Sequence, residues 1–193
     1  MHRVTRVRTI LIMGLRGSGK TTAASSLAHH IGWRCVDLDV RVREMFDESS
    51  VTDIFRIHGE PAFREGEAAA LRCVLTEPEP TVVSLGGGTP TAPGMAGAIR
   101  AAAASGDVRV VYLRAQPEAI ASRLEKLGVG DRPKLVDGDI HEEMRQTFDA
   151  RDALYRELAG VEIDASQQPD DVRTQIAQWL HEQGIFRDSA ASD

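Results

Sequence analysis

The sequence predicts an α/β fold built on a parallel sheet, and three observations carry that prediction. Apolar runs of four to seven residues alternate with longer helical patterns along the chain, as strand–helix–strand units require. A glycine-rich stretch, Gly14 to Thr22, separates the first apolar run from the first helical pattern. The 193 residues, 42% apolar and 27% charged, are enough for one hydrophobic core and ordinary for a globular domain. One domain over 1–186 is expected, followed by a disordered tail over 187–193 that has nothing to pack.

The elements follow in order. "VRTILIM" (7–13) reads as a buried strand and "KTTAASSLAHHI" (20–31) as a helix stopped by Gly32. "RCVDLD" (34–39) reads as a second strand. "VTDIFRIHG" and "PAFREGEAAALRCVL" read as helices, the latter opened by Pro61 at a favoured first-turn position. "TVVSL" (81–85) is a third strand, closed by three glycines, and the alanine run 101–104 belongs to a helix. "VRVVYL" (108–113) is a fourth strand and "PEAIASRLEKL" (117–127) its helix. A polar interruption, "GVGDRPKLVDGD", precedes the long helix "IHEEMRQTFDARDALYREL" (140–158). "GVEID" gives a fifth strand and "PDDVRTQIAQWLHEQ" a closing helix.

Several function classes fall away. A net charge of −6 offers no broad basic face for a nucleic acid. No apolar run is long enough to span a bilayer, and the N-terminal segment reads as a strand rather than a targeting peptide. A cytoplasmic monomer is expected. Cys35 and Cys73 are expected to be reduced core thiols, and none of the six histidines reads as a metal ligand.

"GLRGSGKT" matches G-x-x-x-x-G-K-[ST] from Gly14 to Thr21, between a predicted strand and a predicted helix. Glycines let the backbone curl so that successive N–H groups converge on phosphate oxygens, and the following helix adds its positive end. Lys20 suits the outer phosphates and the Thr21 hydroxyl suits Mg²⁺. No glycine has an aspartate three residues before it and the chain has no asparagine, which removes the switch and guanine-reading loops of a GTPase.

An acceptor site is read further along. Asp37 and Asp39 stand two apart at a predicted strand end, so both carboxylates are expected to face the crevice beyond the sheet, one for Mg²⁺ and one for a hydroxyl. The alternative for Asp39 is a helix cap. Arg64 and Glu67, three apart on one helical face, are expected to pair. Gly86, Gly87 and Gly88 permit close backbone approach to a ligand. Arg132 sits where a lid would carry charge over the phosphates, and Arg151 lies on the next helix.

This ordered set, from the phosphate loop through "DLD", "DIF…GE..FR..E", "GGG", "RP.L" and "R…LY", resembles shikimate kinases over nearly the whole chain. The resemblance implies a three-layer α/β/α P-loop kinase, with a five-stranded parallel sheet ordered 2-3-1-4-5 and a mobile lid at about 128–139. It implies ATP-dependent phosphorylation of the 3-hydroxyl of shikimate, on the route to chorismate and aromatic amino acids. By position, Gly14, Arg16, Gly17, Ser18, Gly19, Lys20, Thr21 and Thr22 would hold ATP. Thr21 and Asp37 would hold magnesium. Asp39 would bind the acceptor hydroxyls, with Arg64, Gly87 and Arg151 on shikimate, the neighbouring Gly86 and Gly88 beside them, and Glu67 orienting Arg64. Arg132 would fold over the phosphates, while Arg123 and Gln168 would flank adenine. Lys20, Asp39 and Arg132 would be the catalytic groups. The sequence departs from the family pattern at Lys134, at Ala153 where a proline is common, and at Gly66, a weak helix former. A gluconate or nucleoside-monophosphate kinase, or a nucleotide-binding module without turnover, are the alternatives.

Overall fold

The computed structural model describes residues 7–127 and 139–185. Five strands, β1 (Thr9–Met13), β2 (Arg34–Asp37), β3 (Thr81–Ser84), β4 (Val108–Arg114) and β5 (Val161–Asp164), form one parallel sheet ordered β2-β3-β1-β4-β5. Because the strands are parallel, their C-terminal ends share one edge. The chain leaves β1 toward β3 on one side and returns with β4 on the other, so β1 is the switch point at which open sheets bind ligands. The core follows from the strand sequences: β1 is buried at every position, and Ile10, Leu11, Ile12 and Met13 are wholly inaccessible.

Among the described residues seven α-helices flank the strands: α1 (Lys20–Ile31), α2 (Leu38–Phe46), α3 (Val51–Thr76), α4 (Met95–Ser105), α5 (Pro117–Leu127), α6 (Ile140–Leu158) and α7 (Pro169–Glu182). Helix α3 opens on a Ser50 cap, whose side chain accepts from the Asp53 N–H and donates to the Asp53 carboxylate. It breaks at Gly59 (φ 83°), so the two predicted helices are halves of one bent rod and Pro61 falls in the first turn of the second half. Gly66 has a packing cause. A Cβ there would lie 2.7 Å from the Phe46 ring, so the glycine lets α2 lie close against α3. None of the described helices is long and apolar enough to cross a membrane.

Two expectations need correction. The second strand ends at Asp37, not Asp39: the Asp37 carboxylate accepts the N–H groups of Asp39 (3.0 Å) and Val40 (3.4 Å) and starts α2. Capping therefore beats strand extension at Leu38, and the cap is Asp37 rather than Asp39. Cys35 and Cys73 are free thiols at the exposed surface rather than in the core. On β2 the chain alternates exposed Cys35 with buried Val36, as an edge strand does. The expected lid, with Arg132 and Lys134, and the tail over 187–193 lie outside the described residues, apart from Asp139, which caps α6.

Candidate active site

The loop after β1 turns tightly, with the Ser18 N–H donating to the Leu15 carbonyl at 3.1 Å. Gly19 (φ 89°) caps α1 in the left-handed region that favours glycine. Lys20 is largely buried, and its Nζ donates to the Leu15 carbonyl at 2.9 Å across the loop. Gly14 lies behind the loop, where a Cβ would come within 2.6 Å of the Leu113 carbonyl.

Strand register brings the next group together. Asp37 pairs with Ser84, and Ser84 with Ile12, so three strand ends stand side by side. The Thr21 hydroxyl, from the first turn of α1, donates to Asp37 Oδ2 at 2.8 Å and lies 3.3 Å from Ser84 Oγ. Asp37 thus divides its oxygens, Oδ1 on the cap of α2 and Oδ2 on Thr21. This trio of hard oxygen donors beside a phosphate loop fits magnesium, which is usually held by one or two carboxylates plus substrate phosphates. Ser84 was missed in the sequence; its signal was a hydroxyl closing an otherwise apolar strand.

Two compartments open from this edge. The first is a cleft lined by Gly17, Lys20, Thr21, Asp37, Asp39 and Ser84, with Arg43 among its walls. Asp39 reaches it from the first turn of α2, so both carboxylates meet there although the strand argument for them fails. The second compartment is lined by Arg64, Gly87, Gly88 and Arg151, with apolar walls from Phe55, Phe63 and Met144 and a hydroxyl from Thr147. Met144, Thr147 and Arg151 share one face of α6, a spacing visible in the sequence but not used. A separate groove gathers Ser18, Gly19 and Thr22 with Arg123, Gln168 and Pro169, and Arg123 donates to the Ala165 carbonyl at 2.6 Å.

The charged groups are held from behind. Glu67 is fully buried and accepts from Arg64 at 2.7 Å and from the Thr89 hydroxyl at 2.6 Å. Arg64 also pairs with Glu60 at 3.0 Å. Burial pulls the Arg64 guanidinium pKa down, but the Glu67 charge and hydrogen bond, then Glu60, outweigh it, and the net shift is upward. The glycines make this packing possible. A Cβ on Gly86 would lie 2.4 Å from Glu67 Oε1 and 2.7 Å from Asp39 Oδ1, and one on Gly88 would lie 2.7 Å from Arg64 Nη1. Gly86 and Glu67 therefore act behind the compartment wall rather than on its surface, unlike Gly87 and Gly88. Thr89 was also missed, although it follows the three glycines directly.

Arg151 is fixed by its neighbours on α6. Asp152 accepts from the Tyr112 hydroxyl (2.9 Å) and from Arg114 Nε (2.8 Å), tying the helix to β4. One turn on, buried Tyr155 stands edge-on to Tyr112 and donates to the Gly87 carbonyl at 2.6 Å. Arg151 donates to the same carbonyl at 2.9 Å. Burial, foremost, pushes the Tyr155 hydroxyl pKa up to about 12, so it is a neutral donor. Ala153 points into solvent on this helix, so the missing proline leaves the compartment untouched.

A phosphate loop at the switch point, beside a second compartment carrying guanidinium groups, defines a P-loop kinase of small molecules. The shikimate kinase family model matches residues 16–181. A shikimate kinase of Oleidesulfovibrio alaskensis is 40% identical over 174 residues, covering 89% of this chain and 96% of that relative. Shikimate kinase 2 of Yersinia enterocolitica is 36% identical, covering 92% and 98%. The structure of shikimate kinase from Acinetobacter baumannii in complex with shikimate superposes with a TM-score of 0.82 at 26% identity, covering 93% of this chain and 96% of that one. The chain belongs to the shikimate kinase family.

Proposed function

We propose that this protein transfers the γ-phosphoryl group of ATP to the 3-hydroxyl of shikimate, giving shikimate 3-phosphate and ADP. One observation carries the reading: a phosphate-loop cleft holding Lys20, Asp37 and Asp39 adjoins a compartment holding Arg64 and Arg151. A small hydroxylated carboxylate needs that pairing, guanidinium forks for the carboxylate and an aspartate for a hydroxyl.

In this reading the acceptor carboxylate lies between Arg64 and Arg151, with Glu67 holding Arg64 in place. Asp39 orients the 3-hydroxyl and takes its proton late, as the new O–P bond forms and the bond from γ-phosphorus to the ADP oxygen breaks. Lys20 neutralises charge on the outer phosphates, and Arg132 joins it from outside the described residues. Thr21 and Asp37 are the ligands assigned to magnesium, which when bound offsets charge on the β- and γ-phosphates. Arg123 and Gln168 flank the adenine end. A coupled ADP-release assay with shikimate and Mg-ATP tests the reading. Shikimate should turn over far faster than gluconate or nucleoside monophosphates; ATP binding without transfer to shikimate overturns it.

A further inference from the structure

The two compartments meet at a seam. Among the described residues only Arg16, Val51 and Gly87 line both, and of these Arg16 alone carries charge. The seam is close in the backbone as well: a Cβ on Gly87 would stand 3.1 Å from the Arg16 N–H nitrogen and 3.6 Å from its Cα. This position of the loop therefore abuts the glycine segment whose Gly87 carbonyl accepts from Arg151 and Tyr155, on the acceptor side of the site.

A phosphate loop binds through backbone N–H groups and its lysine, so nothing in that task calls for an arginine at position 16. Arg64, held by Glu67 and Glu60, and Arg151, held on the Gly87 carbonyl, line the acceptor compartment, where a ground-state carboxylate would sit, and neither lines the phosphate-loop cleft. Charge moves across the seam only during transfer. Resting on the kinase reading above, we propose that Arg16 is a catalytic residue whose guanidinium bridges the acceptor oxygen and the transferring phosphoryl group.

Its role is electrostatic. The acceptor oxygen forms its bond to phosphorus, the bond to the ADP oxygen breaks, the hydroxyl proton goes to Asp39, and Arg16 keeps its own protons throughout. A planar fork with several donors can hold equatorial oxygens on one edge and the acceptor on another, and a lysine point charge cannot do both.

The test compares Arg16→Met, which preserves length without charge, and Arg16→Lys with the parent chain. Removing one such donor is expected to lower kcat by about 10²-fold in Arg16→Met, with KM for both substrates changed by less than about threefold. Arg16→Lys should recover little of the loss, and added guanidinium ion should restore part of the Arg16→Met rate while leaving the parent rate unchanged. Affinity for MgADP with aluminium fluoride and shikimate should fall far more than affinity for ADP alone. A kcat within about threefold of the parent in Arg16→Met, with or without a KM change, overturns the assignment. A variant that melts early is replaced by Arg16→Lys, whose retention of full kcat would equally overturn it. If the parent chain phosphorylates no acceptor, the kinase reading falls as well; if it phosphorylates shikimate and Arg16→Met does too, only the Arg16 assignment falls.

Discussion

The nucleotide end and the acceptor end of this site are made in different ways. The phosphate loop is one uninterrupted stretch, Gly14 to Thr22, which would bind through main-chain groups at a helix start. The acceptor compartment is gathered from α3, from the segment after β3 and from α6, and its working groups are side chains on a buried carboxylate and a shared carbonyl. A site built on one stretch is written locally, and its main-chain donors survive side-chain change at positions other than Arg16, Lys20 and Thr21. A site of converging charges depends on contacts between residues far apart in sequence, each removable by one substitution.

Substitutions at four positions press on that contrast. The largest effect is expected at Asp39, which reaches the phosphate-loop cleft from the first turn of α2 and is assigned to the acceptor hydroxyl. Asp39→Asn should lower kcat by about 10³-fold with ATP affinity nearly unchanged, measured by steady-state kinetics and calorimetric titration. Equal loss of ATP binding would move Asp39 to the nucleotide end. Next is Glu67→Gln, which breaks a buried ion pair. Arg64 keeps Glu60 and is 17% exposed, so the low end applies, about 3 kcal/mol of unfolding free energy by denaturant titration, with a raised KM for shikimate.

Third, Arg151→Ala should raise KM for shikimate by about 10²-fold while KM for ATP stays near the parent value, and Arg151→Lys should be nearly as poor because a fork becomes a point charge. A parallel rise in KM for ATP would mean that the two ends are not separable. The smallest effect is expected from Tyr155→Phe, about 1 kcal/mol of stability for one lost hydrogen bond, with a few-fold rise in KM for shikimate. A tyrosine raised in the folded state adds stability in full below its ordinary value near 10, and that stability is lost as pH climbs toward about 12. Thermal melts of Tyr155→Phe should therefore show a weaker alkaline decline than the parent.

The same contrast explains what was legible in the sequence. The phosphate loop, the five strands and their helices could be read because each rests on local pattern: glycine spacing, apolar runs, Pro61 at a first turn. The Arg64–Glu67 pair could be read because it lies within one helical turn. Thr89, Ser84 and the Gly87 bond of Tyr155 could not, since each depends on a partner 22, 63 or 68 residues away. Asp39 was placed with its neighbour by the wrong geometry. Two apart on a strand and first turn after a cap both leave a carboxylate at the sheet edge, and only the backbone of Leu38 tells them apart. Gly66 looked like a helix flaw in one dimension and is a contact surface in three.

The Gly87 carbonyl takes two donors where most take one. Arg151 and Tyr155 both donate to it, so in the proposed function Tyr155 would still occupy it once the guanidinium turned to a carboxylate. No oxygen would be stranded by such a departure, and the exchange would cost the arginine little more than one ordinary hydrogen bond. The arm proposed to read the anion would thereby be both restrained and ready.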